Sequence, residues 1–215
     1  MPKVSEEHRH SRRRQILAAA IECFARQGFQ RTTMEDIIRE ADLSAGAIYS
    51  YFQSKEQIIA TLADERHQRE ERTIAEGLKR GDIAGSLREL FASFYESLTE
   101  PEVRKERRVS VHLWAEALCN PKVLPWVQRG INQPLKLISV AIADAQRRGE
   151  LRSAINSDAV GRVLIALFHG LILQQAWDDK TDIVEFTKTA RAMAMKYLAP
   201  ADSRRSRRVR ALQPR

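Results

Sequence analysis

Glycine and proline are scarce in this chain of 215 residues, nine and seven respectively, which leaves too little turn chemistry for a fold of many short strands. Cysteine occurs twice, at Cys23 and Cys119, without metal-ligand spacing; each lies in an apolar helical pattern and reads as a reduced packing residue, so no disulfide is expected. No apolar run approaches the roughly 18 residues a bilayer-crossing helix needs, and no apolar secretory segment follows the charged start. A cytoplasmic protein without a membrane partner is expected. Catalytic signatures are missing too: there is no Gly-rich phosphate loop, no His-Glu-x-x-His and no Gly-x-Ser-x-Gly. The five histidines, His8, His10, His67, His112 and His169, are scattered, and His8 and His10 read as arm residues rather than metal ligands. No enzyme, cofactor or metal is expected.

What fills the chain is long periodic segments rich in Ala, Leu, Arg and Glu, so the expected class is all-α. Charge is concentrated at the ends. Lys3, Arg9, Arg12, Arg13 and Arg14 against Glu6 and Glu7 give +3; Arg204, Arg205, Arg207, Arg208, Arg210 and Arg215 against Asp202 give +5. Together these account for the net +8, and the body between is formally neutral. Basic ends on a neutral body point to salt-dependent attraction to a polyanion. The expected division is a flexible basic arm over 1–10, a compact head over 11–53, a larger helical domain over 54–200 and a disordered Arg-rich tail over 201–215.

The head carries the most local information. Its first helix is expected from Ser11 to Gln27, with Ile16, Leu17, Ala20, Ile21, Phe24 and Ala25 as one stripe and Gly28 as a left-handed C-cap. Thr33 with Asp36 makes a capping box that starts a short helix burying Met34, Ile37, Ile38 and Ala41. The turn Ala41-Asp42-Leu43 leads to Ser44, an N-cap, and to a further helix with Ile48, Tyr49 and Phe52 inward and Ala45, Gly46, Ala47, Ser50 and Tyr51 outward. Small outward residues let a backbone approach the floor of a DNA major groove. Ser54 with Gln57 forms another capping box, with Lys55 beside free amides as a phosphate site.

These residues resemble the TetR family of bacterial transcriptional repressors: paired threonines, Ser-x-Gly-x-hydrophobic-Tyr-x-x-Phe from Ser44 to Phe52, and Ser54-Lys55-Glu56 stand in the family's order and spacing. Departures are Asp42, where glycine is usual, and Ala45 and Ala47, where lysine and threonine are common. The resemblance implies a helix-turn-helix head followed by a ligand-binding and dimerisation domain. The expected DNA-contacting set is Arg12, Arg13, Thr32, Thr33, Ser44, Ala45, Gly46, Ala47, Tyr49, Ser50, Tyr51 and Lys55, acting on a double-stranded operator.

In the larger domain, helices are expected around Leu87 to Leu98, from Pro101 to Ala117, from Lys122 to Arg148 with a split or kink near its prolines, from Asn156 or Ser157 onward, and up to Tyr197. The last two are apolar on more than one face, so one face awaits a partner. The resemblance implies a homodimer through that pair, with Val160, Leu164, Leu167, Leu171, Phe186, Met193 and Tyr197 at the interface. Aromatic and polar residues mix at Phe91, Phe94, Tyr95, His112, Trp114, Glu116, Cys119, Phe168, His169 and Trp177, the expected lining of a pocket for an inducer of unknown identity. Leu113 to Leu118 followed by Asn120-Pro121 resembles a segment of the choline-responsive members of the family, with Trp114 and Trp177 as faces for a quaternary ammonium and Glu116 nearby. The alternatives are a nonspecific nucleic-acid or partner-binding protein using the arginine tails, and a family member that activates.

Overall fold

The computed structural model describes residues 6–79 and 82–200, apart from the side chains of Ala84, Phe91 and Glu96. The Arg-rich tail, Lys3 and the expected pocket side chain of Phe91 therefore lie outside the described residues. The described chain is all-α: α1 (Glu6–Arg31), α2 (Met34–Ala41), α3 (Ala45–Tyr49), α4 (Lys55–Leu78), α5 (Ile83–Glu96), a 3-10 turn (Ser97–Thr99), α6 (Pro101–Ala117), α7 (Leu124–Arg147), α8 (Ser157–Trp177) and α9 (Ile183–Leu198).

Helix ends follow local chemistry. The Thr33 hydroxyl accepts from the Asp36 amide at 3.1 Å while the Asp36 carboxylate accepts from the Thr33 amide at 3.1 Å, closing the box that starts α2. Asp42 takes the left-handed conformation (φ 51°, ψ 46°) at the turn before α3. The hydroxyl of Ser54 accepts from the Gln57 amide, but the Gln57 side chain accepts from the Gln53 amide rather than returning to Ser54. Asn156 caps α8 through the Ala159 amide at 2.8 Å.

Three expectations need correction. Residues 6–10 are not a flexible arm: they are the first turns of α1, whose early Glu6 and Glu7 suit a helix N-terminus. The expected boundary at Gly28 holds, since its φ of 79° and ψ of 170° break the regular helix before the short turn that runs to Arg31. α7 runs unbroken through Pro134; Pro125 falls in its first turn, where an amide would be unpaired anyway. Finally, α8 is long and apolar enough to cross a membrane by length and composition, with a mean hydropathy of 1.4. Here it packs against α6, α7 and α9, and Leu164, Leu171 and Ile172 are buried.

The core of the head does not stop at residue 53. Ile16, Phe24, Ile37, Ile48 and Phe52 are buried in one cluster with Ile58 and Ile59 of α4 and Val109 and Leu113 of α6. At about 1.5–3 kcal/mol for each large buried aliphatic or aromatic side chain, this shared cluster fastens the head to the larger domain. A second cluster joins Leu87, Tyr95, Ile142, Leu171 and Ala190 across α5, α7, α8 and α9.

Candidate nucleic-acid interface and internal cavity

α3 is held with one side in the core and the other in solvent. Ile48 and Phe52 are buried, whereas Ser44, Ala45, Gly46 and Ser50 are exposed and Ala47 is half-buried. Tyr49 was expected inward; it is 39% exposed, and Tyr51 is the tyrosine that packs partly against the core. A Cβ added to Gly46 would meet nothing within 4 Å, so nothing within the chain requires that glycine. Thr33, the N-cap of α2, is exposed as well. The Asp36 carboxyl is held below its ordinary value by the Thr33 amide and then by Gln27.

Three expected DNA contacts are occupied within the chain. Thr32 is fully buried and donates its hydroxyl to the Gly28 carbonyl at 2.7 Å, which closes the end of α1. Lys55 donates to the carbonyls of Phe29, Gln30 and Thr32 at 2.9, 3.2 and 2.9 Å and lies over the Phe29 ring. An ammonium has three donors, so the three carbonyls at the close of α1 take up all that this lysine has. Arg13 pairs with Glu65 of α4 and stands over Phe52. Arg12 donates to Gln15 at 2.9 Å and stays half-buried.

The larger domain holds a partly open cavity of about 100 Å³ lined by α4, α5, α6, α7 and α8. Of the expected lining, Phe94, Tyr95, Trp114, Phe168 and His169 do meet there. Trp114 and His169 lie with ring centroids 4.6 Å apart, and Phe168 meets Phe94 and Tyr95 edge to face. Burial pushes the His169 imidazole down to about 4, so it is neutral near pH 7. Burial likewise raises the Tyr95 phenol.

The sequence reading missed a charged group in this wall: Arg66 and Glu70 of α4 and Arg107 of α6. Arg107 pairs with Glu70 and stands over the Phe168 ring at 5.2 Å. Arg66 donates to the Ser110 hydroxyl; its Nε lies 3.7 Å from the same Glu70 oxygen, too far for a hydrogen bond, and is buried without a partner. Burial would raise the Glu70 carboxyl, but Arg107 and Arg66 hold it below its ordinary value. A signal was present. The buried stripe of α4 runs Ile59, Ala63, His67, Ile74, and Glu70 falls on it at helical spacing.

The profile described as bacterial regulatory proteins, tetR family, matches residues 16–62, and that described as BetI-type transcriptional repressor, C-terminal, matches residues 86–203, more than half of the chain. The chain belongs to the TetR family. It is similar to the HTH-type transcriptional regulator UidR of Escherichia coli strain K12, 27% identical over 181 residues that make up 84% of this chain and 90% of UidR. It also resembles the HTH-type transcriptional regulator TtgR of Pseudomonas putida, 27% identical over 80% of this chain and 83% of that one. Among solved structures, Salmonella enterica GusR superposes with a TM-score of 0.74 at 27% identity, covering 91% of this chain and 98% of GusR. A SmeT–triclosan complex superposes at 0.76 and 22% identity over 90% and 93% of the two chains, a likeness of fold. As a TetR-family member the protein is a DNA-binding transcription regulator and not an enzyme.

The remaining TetR-family expectations divide by position. His112 is not in the cavity; it packs against Gly28 between α6 and α1. Glu116 accepts from Gln30 at 2.6 Å and Asn120 at 2.7 Å, Cys119 is exposed rather than packed, and Trp177 is 76% exposed at the end of α8. The ammonium box of Trp114, Trp177 and Glu116 is therefore not assembled, because only Trp114 faces the cavity. Of the expected interface, Val160, Leu164 and Leu171 are buried within the chain, and Leu167 and Phe186 pack against the same core. Met193 and Tyr197 are 62% and 55% exposed, joined by Val163 at 58%, which the sequence reading passed over. Among the described residues no cluster of His, Cys, Asp and Glu is placed to hold a metal.

Proposed function

We propose that this regulator is a ligand-responsive repressor that grips a near-palindromic operator as a homodimer and releases it when a small molecule enters the cavity. One turn of α4 carries the reading. Asp64 accepts from Arg129 of α7 at 2.7 Å, Glu65 pairs with Arg13 of the head, Arg66 lines the cavity, and His67 packs so tightly on Gly130 of α7 that a Cβ there would lie 2.6 Å from its ring. A shift at the cavity is thus delivered to the head within about one helical turn of 5.4 Å.

The cavity of about 100 Å³ is smaller than the roughly 300 Å³ at which sites for drug-sized ligands begin. An inducer that seats fully among these side chains parts the walls, so it prefers a state in which α4 has moved, the differential affinity that any such switch requires. Docked in a major groove, α3 would bring Ser44, Ala45, Gly46 and Ala47 to base edges, with Arg12, Thr33, Tyr49, Ser50 and Tyr51 toward the backbone. Arg13, Thr32 and Lys55 act by holding this surface in place. The exposed apolar side chains Val163, Met193 and Tyr197 are the face for a second copy, which sets two heads on two half-sites. Such a regulator works on chromosomal DNA, so its compartment is the cytoplasm.

The test starts with sequencing duplexes selected by the purified protein, followed by fluorescence anisotropy on the recovered site and light scattering of the complex. Two chains per palindrome and strong discrimination against scrambled duplex are expected. A chain that stays single on DNA, or binds all duplexes alike, sinks the proposal.

A further inference from the structure

The cavity wall holds two guanidinium groups and one carboxylate. A single Glu70 oxygen serves both, accepting from Arg107 and lying 3.7 Å from Arg66 Nε. Glu106, the other acid that acts on Arg66, is bound to Arg69 at 2.7 Å on the outer side. Apart from Ser110, which accepts from Arg66, and His169, the remaining lining is apolar or aromatic, from Leu90 on α5 through Ile131 on α7 to Leu164 on α8. His169 adds no charge to the balance, since burial keeps it neutral. One positive charge is left over in a desolvated wall, and Arg66 Nε, within ion-pair range of Glu70, is buried without a hydrogen-bond partner. An uncompensated buried charge is costly, so the site is matched by a partner that brings a negative charge and a hydrogen-bond acceptor.

We infer that the inducer is a small apolar molecule, aromatic or aliphatic, bearing one acidic group that is received by Arg66 and Arg107. A cationic ligand is disfavoured by the same balance: the one carboxylate in reach is already engaged by two arginines, and an ammonium would face their excess charge. The apolar part of the ligand would lie among Phe94, Trp114 and Phe168. This rests on the ligand-responsive reading above and adds the chemical class of the ligand to it.

The test uses the full chain and matched triplets of probes: naphthylacetate and octanoate, each beside its amide and a trimethylammonium counterpart of similar shape. Binding is read by calorimetry and by thermal shift. The carboxylates are expected to bind roughly ten- to a hundredfold tighter than their amides, the gain of a charge-assisted hydrogen bond, and the ammonium compounds more weakly still. Arg107→Gln should erase the preference for acid over amide, while Glu70→Gln should widen it by leaving a second charge unmatched. Circular dichroism confirms that each variant is folded, and the wild-type ranking stands without either of them. Equal binding of acid and amide, a preference for the ammonium, or no binding by any of the six overturns the assignment. Whether unrelated compounds from a mixed library release the operator is scored separately, so the ligand class can fail while ligand responsiveness survives.

Discussion

The head fastens its polar groups at helix ends, where Thr33, Ser44 and Ser54 each satisfy an amide of the helix they start, whereas the larger domain sets Arg66, Glu70 and Arg107 in the middle of helices against a largely apolar cavity. A cap is local, modest and replaceable by water. A buried ion cluster is long-range and fails as a unit, because losing one partner strands the others in low dielectric. The contrast suits the two tasks of the proposed function: a head that keeps one shape, and a sensing domain whose wall would be reorganised by what enters it.

The strongest way to break the comparison is Glu70→Ala. Stranding two guanidinium groups should lower unfolding free energy by about 3–5 kcal/mol, read by urea denaturation; a loss no larger than that of a removed cap would show that water already solvates the cluster. Next comes acid. His67 and His169, both depressed to about 4 chiefly by burial, titrate near 6.5 once unfolded, so the unfolded chain binds more protons between those values. Stability is therefore fully present above pH 6.5 and falls as pH drops toward 4, by up to roughly 3 kcal/mol for each histidine. A melting temperature that is flat over that window would remove the claim, and His169→Gln should make the fall shallower.

Lys55→Met probes the head. It strips three carbonyls at the end of α1 of their donor and should cost about 1–3 kcal/mol, with operator affinity falling only as far as the head is misplaced. Restored binding at low temperature, where the head is folded, would separate this role from a phosphate contact. The smallest effect on folding is expected from Gly46→Ala, which adds a methyl group into open space and should stabilise α3 by up to about 1 kcal/mol. Operator binding should nevertheless weaken, since the methyl group stands between the helix and the groove floor. Unchanged affinity would mean that α3 does not approach DNA at this point.

What could be read in the residues follows the same division. The caps at Thr33, Ser44 and Asn156, the helix break at Gly28, and the all-α class were legible because each depends on neighbours within a few positions. The roles of Thr32 and Lys55 were not, since their partners are carbonyls at the close of α1 that only the folded turn brings near. Five of the nine described residues expected to line a pocket do line the cavity, for a related reason: helical periodicity says that Phe94, Trp114 and Phe168 point somewhere apolar, but not whether His112 or Trp177 shares their side. Glu70 falls on the buried stripe of α4, but that it binds an arginine from another helix shows only when Arg107 arrives from 37 residues further on.

α6 gives Arg107, Ser110 and Trp114 to the cavity and Val109, Leu113 and Ala117 to the core beneath the head. On the proposed function, chemical taste and silence in the absence of signal would share a single rod. A lineage drifting toward a new effector through this helix would pass through leaky ancestors, and the repair would come from the opposite side of the same turn.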